Sequence, residues 1–65
     1  MIESVLEKIA SEMKINNPGL HAEFLLKQDS MNNRELFIWL QQKDAEGVFR
    51  SEMKLLLTDY YFMLR

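Results

Sequence analysis

Apolar residues fall at Ile2, Leu6, Ile9 and Met13, at spacings of four, three and four, with Val5 alongside. That is one stripe on an amphipathic helix, and it predicts a helix from Ile2 or Val5 to Ile15. Ser4-Val5-Leu6-Glu7 matches a capping box, which favours Ser4 as the start. Asn16-Asn17-Pro18-Gly19 stops the helix. Pro18 pushes Asn17 out of the helical region, and Gly19 accepts turn dihedrals that other residues resist. Asn17 and Pro18 also suit the start of a second helix, as N-cap and first helical residue.

From Leu20 to Gln28 the pattern supports two readings. Ala22, Leu25 and Leu26 share a helical face with Leu20 nearby, and Glu23 and Lys27 form an i,i+4 pair. Leu20, Ala22, Phe24 and Leu26 also alternate, which is the period of a strand. Asp29 to Asn33 is polar and reads as a loop. Asn32 with Glu35 three residues later marks the start of a helix over Arg34–Glu46, with Gly47 as its C-terminal cap. Within it, Leu36-Phe37-Ile38-Trp39-Leu40 is a continuous apolar run that a buried strand would also show.

The last helix is the plainest. Ser51 suits an N-cap, and Met53, Leu57, Tyr60 and Leu64 repeat at four, three and four, flanked by Leu56 and Met63. Leu55, Tyr61 and Phe62 fall outside that stripe. A helix this apolar around its circumference is normally buried on more than one side. The expected fold is all-α, a small bundle of three to four short helices in one domain spanning residues 1–65. The alternative is α+β, a helix–β-hairpin–helix.

Composition favours the helical reading. Leu, Met, Glu, Lys and Gln are common, whereas there are two Val, one Thr and two Gly. A chain of 65 residues buries only about 60% of the surface its unfolded form exposes. Yet 28 of its residues are Ile, Leu, Val, Met, Phe, Trp or Tyr. A single small core has difficulty placing all of them, and a contiguous exposed apolar patch usually marks an interaction surface.

Charge adds little direction. The net charge is −2, with five acids and three bases in residues 1–32 and five of each in residues 33–65. Neither a basic face for nucleic acid nor a dense acidic one is evident. There is no cysteine, which excludes disulfides and fits a reducing compartment, so the expected location is the cytoplasm. The N-terminus lacks the pattern of a signal peptide, and no apolar run approaches the roughly 20 residues of a membrane span.

Candidate chemistry is sparse. His21 is the sole imidazole, and His21-Ala22-Glu23 has the His-x-Glu spacing of zinc deaminases without the cysteine ligands those sites need. No serine sits in Gly-x-Ser-x-Gly, and Gly19 and Gly47 stand alone rather than in a phosphate-cradling loop. The expectation is no enzyme, no cofactor, no metal, no small-molecule substrate and no membrane association.

The function expected is that of a small protein–protein interaction module, such as an adaptor, inhibitor or regulatory subunit, whose partner is a second copy or another protein. It would be a homodimer formed through the apolar C-terminal helix. Leu56, Leu57, Tyr60, Tyr61, Met63 and Leu64 would supply the contact, with Trp39 and Phe49 as anchors and Arg50, Lys54 and Asp59 at the rim. The alternative is a helix-turn-helix-like nucleic-acid-binding regulator, with Arg34, Lys43, Arg50 and Lys54 as phosphate contacts. Nucleic acid is the disfavoured partner, because these bases are few and scattered.

Overall fold

A computed structural model describes residues 2–64. Among them there are four helices and no strand: α1 (Ile2–Asn16), α2 (Pro18–Ser30), α3 (Asn33–Ala45) and α4 (Ser51–Met63). The all-α expectation holds and the β-hairpin alternative is excluded.

The helix starts show how local chemistry sets the boundaries. The Asn17 side chain accepts a hydrogen bond from the Leu20 amide at 3.2 Å, with Pro18 as the first helical residue of α2. At α3, Asn32 accepts from the Glu35 amide at 2.8 Å, while the Glu35 carboxylate accepts from the Asn32 amide at 3.1 Å. This is a complete capping box. Gly47 follows α3 with a φ of 76°, a left-handed conformation that favours glycine.

Three expected boundaries move. Helix α1 already includes Ile2, so Ser4 lies inside it and does not cap it. The polar stretch Asp29–Asn33 is mostly helical, and only Met31 and Asn32 link α2 to α3. Polar residues at the end of α2 continue the helix because their backbone bonds close on preceding turns, as Met31 N–H does on the Lys27 carbonyl at 2.8 Å. Ser51 is the first residue of α4 rather than its cap. The Arg50 carbonyl accepts from the Lys54 amide at 3.0 Å, which makes Arg50 the N-cap, without a side-chain hydrogen bond to the helix.

The helices form a ring of neighbours. α1 packs against α4 and α2, and α3 closes the ring between α2 and α4. Leu6, Ile9 and Met13 from α1 meet Leu20 and Phe24 of α2, Leu36, Trp39 and Leu40 of α3, and Met53, Leu57 and Tyr60 of α4 in one core. Phe24 and Trp39 hold α2 to α3 with ring centroids 6.2 Å apart. The Tyr60 hydroxyl donates to the Asn33 carbonyl at 2.9 Å, which ties the end of α4 to the start of α3. No described helix is long and apolar enough to cross a membrane.

Candidate interaction surface

Helix α4 has two apolar faces. Met53, Leu57 and Tyr60 are buried in the core. Leu55 and Phe62 lie on the opposite side, 71% and 72% exposed. Seven residues apart on an α-helix means about 20° apart around its axis, so the two share a stripe. Thr58 sits between them, and its hydroxyl is already committed to the Lys54 carbonyl at 2.9 Å. Asp59 flanks the stripe, exposed and one turn before Phe62.

A second apolar feature lies where α3 meets the end of α4. Arg34, Phe37, Ile38 and Leu64 line an open groove of about 280 Å³. The Phe37 ring packs at a tilt against Tyr61 with centroids 4.8 Å apart, and lies 6.5 Å from Tyr60, so the floor of the groove is anchored to the core. Ile38 forms one wall and is half exposed. Among the described lining residues, Arg34 brings the one formal charge. Asp59 and Arg34 form no ion pair among the described residues.

The other concavities have a different character. A site of about 40 Å³ near Met13, Asn17, Phe49 and Arg50 has room for about one water. A wide depression between α1 and α4 is lined by four polar or charged residues, Glu7, Lys8, Ser11 and Glu12, whose aliphatic stems adjoin Leu56. No cluster of three or more metal-ligating side chains occurs among the described residues.

The sequence-expected contact residues divide into two groups. Trp39, Phe49, Leu57 and Tyr60 are buried within the chain itself, which removes them from any surface patch. For Leu57 and Tyr60 the reason is that a helix turns its most regular apolar stripe toward its own core. Leu56, Tyr61 and Leu64 are half-buried at the core's edge, and Met63 is 43% exposed. The side chains that sequence reasoning left out, Leu55, Phe62 and Ile38, are the more exposed ones. The available signal was that Leu55 and Phe62 fall off the repeating stripe.

The four bases named for phosphate contact differ in what they meet. Lys43 lies 3.6 Å from Glu46 and 5.9 Å from the centre of the Trp39 ring. Lys54 is 3.8 Å from Asp44. Arg34 stands nine residues from Lys43 on α3, about 13.5 Å along the axis. Arg50 lines the small site at the start of α4.

No protein-family model matches the chain, and no curated protein or solved structure matches it either.

Proposed function

We propose that this domain is a protein-interaction module that self-associates through the outer face of α4. The observation that carries the reading is the pair Leu55 and Phe62, both more than two-thirds exposed on a helix whose opposite face is fully buried. Association would remove that surface from water at about 25 cal/mol per Å² of apolar area. Met63 extends the patch, and Asp59 and Lys54 set its polar rim. An adaptor, inhibitor or regulatory subunit works by such packing and needs no catalytic chemistry. The cysteine-free composition suits the cytoplasm as its setting.

The test is the molar mass by light scattering across a size-exclusion peak, at several loading concentrations. Wild type is expected to approach twice 7.8 kDa as concentration rises. Leu55→Gln with Phe62→Gln is expected to remain monomeric with an unchanged helical circular-dichroism spectrum, because both positions face solvent. A wild-type monomer at every loading overturns the reading.

A further inference from the structure

We propose that the groove formed by Arg34, Phe37, Ile38 and Leu64 is the seat for Phe62 of a second copy, with Asp59 of that copy on Arg34. The contact is made twice about a two-fold axis. This inference rests on the self-association proposed above and specifies its geometry.

Three observations converge on this occupant. The first is the chemistry of the groove. Three apolar side chains and one guanidinium fit an apolar group that carries a carboxylate beside it. At about 280 Å³ the groove lies just below the range of small-molecule and cofactor pockets, and suits an inserted side chain.

The second is that this chain displays the complement. Phe62 is the large aromatic side chain it exposes most, and exposed Asp59 sits three residues earlier on the same helix. An i,i+3 pair projects from one side of a helix, so ring and carboxylate are presented together. Each copy carries a net charge of −2, so an opposite-sign pair at the contact sets the register against a background of mild repulsion.

The third is placement. Groove and knob both lie at the C-terminal end of α4, since Leu64 follows Phe62 by two residues and α3 begins beside Tyr60. Two residues along a helix turn it by about 200°, so Phe62 points away from the groove that Leu64 helps to line. A copy therefore cannot fill its own groove. Two copies can fill each other's, and the proximity of the two features lets the exchange close as an isologous dimer.

The experiment is a charge swap. Arg34→Asp and Asp59→Arg are prepared separately and then mixed in equal amounts, with the double variant alongside. Neither substitution threatens the fold. Arg34 is the second residue of α3, where an acid is favoured by the helix N-terminus, and Asp59 is an exposed mid-helix position where Arg is a good helix former. Circular dichroism of each variant is the check, with an unchanged helical spectrum expected. Each single variant places like charges at both copies of the contact, and its dimer dissociation constant is expected to rise by about tenfold or more. The equal mixture and the double variant restore opposite charges at both, and both are expected to return to within about threefold of wild type.

Single variants that dissociate without recovery on mixing overturn the pairing. So does a dimer that Phe62→Gln abolishes but the charge variants leave intact, and that outcome leaves self-association through α4 standing. A mixture that forms a ladder of larger masses overturns the two-fold closure. A wild-type chain that is monomeric throughout overturns both this inference and the reading beneath it.

Discussion

Tyr60 and Tyr61 adjoin in sequence and differ in what surrounds their hydroxyls. Tyr60 is fully buried and its hydroxyl donates to the Asn33 carbonyl at 2.9 Å. Tyr61 packs at a tilt against Phe37, and its hydroxyl is buried without a hydrogen-bond partner among the described residues, as is Asp44 Oδ1, which has only the Lys54 ammonium 3.8 Å away. Tyr60→Phe removes a made bond and is expected to lower stability by about 1 kcal/mol. Tyr61→Phe removes an unsatisfied polar group and is expected to raise stability by up to about 1 kcal/mol. Urea unfolding of the two variants checks the contrast. Tyr60→Ala would lose about 3 kcal/mol or more from the core, so it probes folding rather than association. Both phenols have raised pKa values. Burial is the cause at Tyr60, and burial followed by the negative charges of Asp44 and Tyr60 pushes Tyr61 up to about 12. The unfolded chain ionises its tyrosines near 10, so between about pH 10 and 12 the folded state holds more protons. Stability is therefore lost as pH rises through that window, and Tyr61→Phe is expected to make the loss shallower.

At the scale of elements, α1 was legible because its stripe has a single period: Leu6, Ile9 and Met13 are buried as their spacing demands. The middle helices were ambiguous for a definable reason. Leu20 and Phe24 are the buried pair of α2, and a spacing of four satisfies both a strand and a helix. Exposed Ala22 and Leu26 break the strand alternation, but only the fold reveals their exposure. In α3 the buried set Leu36, Trp39 and Leu40 is helical, with Ile38 left outside. The candidate surface was legible only in part for a related reason. Regular spacing identifies what a helix buries, and a docking face is whatever large apolar side chains remain. Met63, which flanks the regular stripe, and Leu55 and Phe62, which fall outside it, are all exposed. Helix α4 also begins without help, since Arg50 makes no side-chain bond to the free amides of the first turn. Arg50→Ser supplies one and is expected to raise stability by about 0.5–1 kcal/mol. Thermal melts at low protein concentration measure it. No gain would mean that Arg50 contributes comparable packing over the site it shares with Phe49 and Met53.

For the whole molecule, folding and the proposed association draw on one limited supply of apolar surface. The four-helix ring places Tyr60, Phe24, Ile9 and Leu57 at its centre and still leaves Ile15, Leu26, Leu55 and Phe62 each more than two-thirds exposed. A chain this small has few other means of stabilisation, with no disulfide and no metal-ligand cluster among the described residues. If the α4 surface closes a dimer, the native state is stabilised by mass action. Each tenfold rise in concentration then adds about 1.4 kcal/mol per dimer, or about 0.7 kcal/mol per chain. For a domain of this length that corresponds to about 3–6 °C in Tm per decade of concentration. Phe62→Gln provides the control. Its position is 72% exposed in the monomer, so the variant is expected to melt with wild type in dilute solution and to fall behind as concentration rises. Calorimetry over two decades of concentration separates the cases. A wild-type Tm independent of concentration assigns stability to the core alone. A deficit for Phe62→Gln already present at high dilution would place the ring in the fold, and the groove between α3 and α4 would need another occupant.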